Sequence, residues 1–216
     1  MSKEVLTIDL DWIETPRQEI EIISLCTHLF KQKVDTYFIK AHHHAYDLVP
    51  EKATLYNVDH HHDLCYSDQG TLEIQSGVMR EGNWILALAM HKKLEAYTWI
   101  KNYDSDLQEN HIHNLYRILK KFKIYNSLKD LTVKKLSRLI ICESASYNKN
   151  ISLGRVYDTL LQLSSGMVSL EYLIMFIENV GTKFLIKKRK KKILIMKQKK
   201  FIQKHINFKR RIYGLK

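Results

Sequence analysis

The segment that follows the apolar run Ala53–Tyr56 concentrates carboxylate and imidazole groups. Asp59, His61 and Asp63 occupy alternate positions within it. Side chains alternate between the two sides of an extended backbone, so this spacing predicts that all three point into one space. Two carboxylates that converge on an imidazole pack poorly in an apolar core and suit a hard or borderline divalent cation. The segment therefore predicts a metal site.

A second acidic pair with the same period lies near the N-terminus. Asp9 and Asp11 share one side of a predicted strand that runs from Val5 to Asp11. Two carboxylates about 4 Å apart repel by roughly 4 kcal/mol at an effective dielectric constant of about 20. The four aspartates can therefore meet only if they are protonated or share cations. Two divalent ions bridged by Asp9 and Asp59, with histidines capping each ion, would neutralise the cluster.

Such a pair of ions, about 3.5–4 Å apart, would convert a bridging water into hydroxide near neutral pH and could drive hydrolysis. Ligands rich in carboxylate and capped by histidine favour Mn²⁺, and the motif lacks the sulfur ligands that would favour zinc. The expected cofactor is two Mn²⁺ ions, with Zn²⁺ or Fe²⁺ as the alternatives.

The candidate residues all follow apolar runs that we predict to be strands. They are Asp9 and Asp11, His42 to His44, Asp59 to Asp63, and Glu143. Ligands bind open α/β sheets beyond the carboxyl ends of the strands, which makes this recurrent position meaningful. The sequence thus predicts a single site along one edge of a sheet.

The elements that must position these groups alternate between strand and helix. Strands are predicted at 5–11, 34–39, 54–58, 97–100 and 137–142. Helices are predicted from Pro16 after a Thr15 cap, from Asn83 to about Lys93, and at 106–121, 153–163 and 170–180. This alternation predicts a three-layer α/β/α fold with a mostly parallel sheet, in which the Asp-x-Asp strand comes first.

The composition divides the chain into an acidic domain and a basic tail. Residues 183–216 hold 15 lysines and arginines and no carboxylate, which leaves 20 basic against 23 acidic residues in 1–182. The tail predicts an anionic partner, either nucleic acid or an acidic membrane surface, or else a solvated arm without a selected role. Three widely spaced cysteines and an N-terminus without an apolar signal segment predict a soluble, cytoplasmic protein.

Two motifs resemble those of the arginase/deacetylase superfamily. Asp59-His60-His61-His62-Asp63 resembles its Asp-x-His-x-Asp motif, and Thr7-Ile8-Asp9-Leu10-Asp11 resembles its Ser-x-Asp-x-Asp strand. The likeness is closest to the arginase-like proteins that include peptide arginases, enzymes that convert arginine side chains in peptides to ornithine. Those proteins share an Asn-Trp helix start, here Asn83-Trp84, and a late strand that ends in serine before an aromatic loop, here Ser144–Tyr147. The likeness spans about residues 5–165.

The resemblance implies a role for each candidate residue. Asp9 and Asp59 would bridge the two ions, Asp63 and a histidine of the segment 41–46 would complete one ion, and Asp11 and His61 the other. Spacing to Ala45-Tyr46 favours His42 as that histidine, while His43 and His44 stay open. Glu143 would meet the cationic end of the substrate and is grouped with Asp63 as catalytic. In arginases, however, the Asp-x-Asp strand follows the Asp-x-His-x-Asp motif, whereas it comes first here.

Three classes of function follow from these patterns. The first is a Mn²⁺-dependent hydrolase whose metal-bound hydroxide attacks a guanidinium, free or in a peptide, or a related C–N bond. The second is a deacetylase-type amide hydrolase on the same fold, which would favour one catalytic zinc. The third is a nucleic-acid-binding protein that acts through the basic tail and has a structural metal site. The sequence favours the first class and predicts no oligomeric state.

Overall fold

The computed structural model describes residues 3–64, 69–105, 119, 121–132, 135–144 and 151–166. Several predictions fall outside this part of the chain. They are most of the predicted helix at 106–121, the aromatic loop that follows Ser144, the predicted helix at 170–180, and the basic tail.

The six strands of the sheet are all parallel, which confirms the α/β class. The strands are β1 (Lys3–Asp9), β2 (Asp35–Ile39), β3 (Ala53–Val58), β4 (Leu94–Ile100), β5 (Phe122–Tyr125) and β6 (Leu136–Cys142). Their order across the sheet is β2-β6-β1-β3-β4-β5. The last strand in sequence is therefore inserted between the first two.

Five helices connect or follow these strands in the described part of the chain. They are α1 (Pro16–Lys31), α2 (Ala45–Leu48), α3 (Gln69–Gln75), α4 (Trp84–Met90) and α5 (Ile151–Ser164). The predicted cap of α1 is confirmed, because Thr15 and Gln18 form a reciprocal capping box and Pro16 takes the first helical position. Asn83 precedes α4 but makes no side-chain cap; its Oδ1 instead accepts the Arg80 N–H at 2.8 Å.

The helices cover both faces of the sheet. The chain crosses from β1 to β2 in one direction and from β2 to β3 and β4 in the other. Right-handed crossovers therefore place α1 on one face and α2 and α4 on the opposite face. The burial of neighbouring residues on β1 agrees with this arrangement, because Val5 and Leu6 point to opposite faces and both are buried. Within the described residues, no helix combines the length and the apolar character needed to cross a membrane.

The two acidic segments differ locally from the prediction of continuous strands. β1 ends at Asp9, and residues Leu10–Trp12 form a 3₁₀ turn because Asp9 Oδ1 accepts the backbone N–H of Asp11 at 3.1 Å. β3 likewise ends at Val58, and the next residues follow an irregular path in which Asp63 has a φ of 53°. The alternation of an extended backbone therefore does not orient these side chains, and that part of the prediction was wrong.

Candidate metal centre

The ends of β1 and β3 bring two aspartates side by side. The strands pair with Ile8 opposite Val58, so Asp9, the last residue of β1, lies next to Asp59, the first residue after β3. The chain leaves β1 toward one side of the sheet and β3 toward the other. Such a change of direction forms the crevice in which open α/β sheets bind ligands. Because both aspartates are buried, two carboxylates meet in a space from which water is largely excluded.

His42 completes this group from the 3₁₀ turn after β2. Its Nδ1 atom lies 3.2 Å from Asp9 Oδ2, 3.0 Å from Asp59 Oδ2 and 3.1 Å from Asp63 Oδ2. None of these contacts has the geometry of a hydrogen bond from a ring N–H, and one proton cannot satisfy three carboxylates. The His42 Nδ1 atom therefore faces a point that three carboxylate oxygens also face.

A second group lies beside the first and shares Asp59 with it. His61 Nδ1 is 3.1 Å from Asp11 Oδ2 and 3.9 Å from Asp59 Oδ1. Asp59 Oδ1 also accepts the backbone N–H of His61 at 2.8 Å. Asp59 thus presents one carboxylate oxygen to His42 and the other to His61.

Either group could hold a metal ion. The ligand atoms within each group lie within 4.8 Å of one another, and the two groups are Asp9, His42 and Asp59, and Asp11, Asp59 and His61. The first group is fully buried, whereas Asp11 and His61 are half-buried. The second group therefore forms the more accessible side of the centre.

Each carboxylate that faces His42 is oriented by a donor from a different element. The pairs are Asp9 with the Ser144 hydroxyl, Asp59 with Asn57 Nδ2 at 3.1 Å, and Asp63 with Trp84 Nε1 at 2.6 Å. Outer hydrogen bonds of this kind fix the orientation of metal-binding carboxylates. The site is thus held from β3, from α4 and from the residues after β6.

Asn57 is itself fixed by a buried polar chain. Its Oδ1 accepts the Thr7 hydroxyl at 2.5 Å, and its Nδ2 also donates to the Tyr97 hydroxyl at 3.4 Å. The Tyr97 hydroxyl in turn donates to the His62 carbonyl at 3.0 Å. Because Thr7, Asn57 and Tyr97 are buried on neighbouring strands, this chain ties Asp59 rigidly to the sheet.

The electrostatics show how unfavourable the carboxylate cluster is without a cation. Burial, with the charges of Asp63 and Asp11, raises the pKa of Asp59 to about 8, although His42 partly opposes this rise. Burial and the charge of Asp11 raise the pKa of Asp9 to about 6. Contact with Asp11 raises the pKa of His61 to about 9. The cluster therefore retains protons at neutral pH, as expected of carboxylates that need a positive partner.

Five of the six predicted metal ligands make up these two groups: Asp9, Asp11, His42, Asp59 and His61. The sixth, Asp63, faces His42 beside the first group. Of the three consecutive histidines, His42 faces the carboxylates, while the rings of His43 and His44 pack against each other at 4.4 Å. Asp63 reaches His42 through a backbone in the left-handed region rather than through strand alternation. The fold thus brings the six predicted residues together, although their local geometry differs from the prediction.

Glu143 lies at the end of β6 next to Ser144, with its carboxylate in an ion pair with Lys40. The Lys40 ammonium also lies 4.3 Å from the centre of the Tyr157 ring. Glu143 accordingly holds a cation in this structure, but that cation is a side chain of the same protein. Its role towards a substrate remains a prediction.

Three residues that orient ligands were not assigned to the site from the sequence. Trp84 lies in the apolar core, and its indole N–H also bonds Asp63. Asn57 and Ser144 carried one weak signal, since each is a polar residue at a strand end beside a candidate ligand. Ser144 also has a φ of 47°, a strained value for a residue other than glycine.

A polar cavity of about 420 Å³ opens along the same edge of the sheet. Trp12, which directly follows Asp11, lines this cavity, as does Glu14, whose carboxylate is 3.4 Å from His60 Nδ1. Three carboxylates and three basic side chains line it: Glu14, Glu21, Asp104, Arg17, Lys101 and Lys129. Two of its lining residues thus link the cavity to the second group: Trp12 through the chain and Glu14 through its contact with His60.

Comparison of this chain with protein-family models, curated proteins and solved structures finds no match. The resemblance to the arginase/deacetylase superfamily consequently rests on the motifs, and the structure itself supports an α/β protein whose acidic and histidine side chains could hold a metal ion.

Proposed function

We propose that this protein is a metal-dependent hydrolase of C–N bonds that acts on a guanidinium group, as the arginase-like enzymes it resembles do. The observation that carries the proposal is the position of Asp59 between two histidine-containing groups. A carboxylate that faces two such groups with its two oxygens is suited to bridge a pair of ions. Two divalent ions would supply Lewis acidity and lower the pKa of a shared water for attack on a planar carbon.

The kinds of ligand atom around His42 favour a hard or borderline ion such as Mn²⁺. Three carboxylates face its Nδ1 atom, at 3.0 to 3.2 Å. Neither group contains sulfur, the ligand that would favour zinc.

Residues of the protein would orient the metal-binding carboxylates and leave one side of the centre open to the substrate. Ser144, Asn57 and Trp84 hold the carboxylates of the buried group in place, so those ligands need little rearrangement to accept an ion. The His61 side chain is 36% exposed, and the cavity is lined by Trp12, the residue that follows Asp11. We therefore expect the substrate to approach from the side of the second group.

Glu143 is the proposed partner for the cationic end of the substrate. Its side chain is 17% exposed, so a bound cation would be poorly screened by water. Lys40, whose side chain is 66% exposed, pairs with it in the structure and would have to be displaced. An exposed ammonium loses little when it returns to water, which makes such an exchange inexpensive.

Metal analysis combined with two product assays tests the proposal. The purified full-length chain is loaded with Mn²⁺ and supplied with arginine, agmatine, an arginine-containing peptide and an acetyl-lysine peptide. Urea release with two bound Mn²⁺ ions is the expected result. Acetate release with one bound zinc would instead support the deacetylase-type alternative, and a folded chain that takes up no divalent ion would refute both.

Two matched variants examine the role of Glu143. Glu143→Gln should raise KM for guanidinium substrates at least tenfold and leave the metal content at two ions. Glu14→Gln removes a carboxylate from the neighbouring cavity and serves as the control, with a smaller expected effect. A larger KM effect from Glu14→Gln would move the cation-binding role to the cavity.

A further inference from the structure

The amino edge of the sheet, opposite the metal centre, carries a row of lysines. Because all six strands are parallel, their first residues share one edge. An exposed lysine lies at or within two residues of the start of every strand. In the order of the strands across the sheet, these are Lys33, Lys135, Lys3, Lys52, Lys92 and Lys121, which we call the lysine row. Adjacent strands are about 4.8 Å apart, so the row is about 24 Å long.

The lysine row gives this edge a positive charge. We counted charged residues among the first two residues of each strand and the three residues before it. In the described part of the chain these positions hold eight lysines and four carboxylates. The described ion pairs at this edge join Lys121 to Glu95 and Arg138 to Asp35. The opposite edge holds the aspartates of the metal centre. The domain is therefore electrically polarised, even though residues 1–182 as a whole are mildly acidic.

Strained backbone conformations support a functional role for the lysine row. Lys33, Lys52 and Lys92 have φ values of 56°, 57° and 57°, in the left-handed region where glycine or asparagine is normally found. The two other non-glycine residues with positive φ in the described chain are Asp63 and Ser144, both in the metal centre. Strain of this kind concentrates at functional sites. Every such residue here lies either at the metal centre or in the lysine row.

We infer that the lysine row binds the phosphodiester backbone of a nucleic acid. This inference is independent of the proposed hydrolase activity, and it concerns a surface of the folded domain, not the basic tail. A line of ammonium groups at regular intervals matches a linear polyanion whose phosphates release counterions on binding. The contacts would be made to phosphates, so binding should depend little on sequence.

An acidic membrane fits the row less well than a nucleic acid. Peripheral binding to a bilayer usually combines basic side chains with apolar groups that enter it. The exposed large apolar side chains in the described chain are Leu72, Val78, Tyr103 and Leu161, and none of them lies at the start of a strand. The twist of the sheet also turns successive strand ends away from a common plane.

Two of these lysines also have a structural reason for their position, which does not involve binding. Lys33 and Lys92 follow the C-termini of α1 and α4, where positive charge is favoured by the helix dipole. Glycine would remove the strain at these positions and keep the local backbone. A glycine variant should therefore fold at least as well and yet bind more weakly, an outcome that a structural role alone does not produce.

The test measures binding of the full-length chain to fluorescent 20-nucleotide RNA, single-stranded DNA and duplex DNA between 50 and 300 mM NaCl. Two variants neutralise the same positions: the triple glycine variant of Lys33, Lys52 and Lys92, and the corresponding triple glutamine variant. The control removes three positive charges from the opposite edge through Arg17→Gln, Lys101→Gln and Lys129→Gln. All of these proteins retain the tail, so differences between them report the folded domain.

Both lysine-row variants should weaken binding to at least one of the nucleic acids at least tenfold at 100 mM NaCl. They should also lower the slope of log Kd against log salt by about 2 to 3, since each of the three lost phosphate contacts removes roughly 0.7–0.9. The control should keep the wild-type slope. Equal losses in the control, unchanged binding in the row variants, or a wild-type chain that binds none of the probes would overturn the inference. Phosphatidylserine vesicles are measured as a further probe, and row variants that lost binding to these vesicles alone would also overturn the inference.

Discussion

The Trp84 indole N–H donates a hydrogen bond of 2.6 Å to Asp63 Oδ2, the oxygen that also faces His42. The same indole ring lies 4.7 Å from the His42 ring, so one fully buried side chain supports two candidate ligands. The Asp63 backbone is in the left-handed region, with a φ of 53°. Trp84, which packs in the apolar core from α4, therefore also helps to position two candidate ligands of the metal centre.

Trp84→Phe should lower Mn²⁺ affinity 10–100-fold, since it removes the donor to Asp63 and keeps an aromatic ring beside His42. The measurement is competition for Mn²⁺ with a chelator of known affinity. Trp12→Phe is the matched control, because the buried Trp12 indole N–H has no hydrogen-bond partner in the described structure. Wild-type affinity in Trp84→Phe would contradict the orienting role.

The sharing of Asp59 predicts different metal stoichiometries for two aspartate variants. Asp59→Ala removes a ligand from both groups and should abolish binding of both ions and all turnover. Asp11→Ala removes a ligand from the second group alone and should leave about one ion bound. Metal content per protein after gel filtration distinguishes them. If the Asp59→Ala variant retains two equivalents of Mn²⁺, the Asp59 carboxylate does not bridge the two ions.

The pKa values predict that the metal-free protein loses stability as pH rises. Folding raises the pKa of Asp9 to about 6 and of Asp59 to about 8, above the ordinary aspartate value of 3.8. It also raises the pKa of His61 to about 9 from 6.5. The folded state thus binds more protons than the unfolded state between about pH 4 and 9, so the free energy of unfolding falls across that range.

Divalent ions should reverse this dependence, because they displace the retained protons. Thermal unfolding in EDTA should show a falling Tm from pH 6 to 9. The increase in Tm on adding Mn²⁺ should grow over the same range. A metal-free protein whose Tm rises from pH 6 to 9 would show that the carboxylate cluster is not assembled in solution.

Much of the fold could be predicted from apolar runs alone. β1 and β6 are buried on both faces, and such continuous apolar segments are recognisable as parallel strands. β5 was missed because Phe122–Tyr125 is a four-residue edge strand interrupted by a lysine. The insertion of β6 between β2 and β1 could not be predicted, since strand order depends on packing between segments distant in sequence.

The candidate site was predictable in its residue types and not in its local geometry. The motifs pointed to acidic and histidine residues that the fold does bring together. Asp9 and Asp59, however, each accept a nearby backbone N–H, and this local bonding ends the strand that the alternation assumed. The residues that orient the ligands were hidden for another reason. Ser144 and Asp9 are separated by 135 positions, and only the folded sheet brings them together.

Ser144 permits a prediction that separates a hydroxyl from a backbone conformation. Ser144→Gly removes the donor to Asp9 but suits a φ of 47°, whereas Ser144→Ala removes the donor and keeps the strain. Both variants should therefore lose Mn²⁺ affinity about tenfold or more. Only Ser144→Gly should retain or exceed the wild-type unfolding temperature in EDTA. Its free energy of unfolding should exceed that of Ser144→Ala by roughly 0.5–1 kcal/mol. Full affinity in the glycine variant would mean that the left-handed backbone, and not the hydroxyl, positions Asp9.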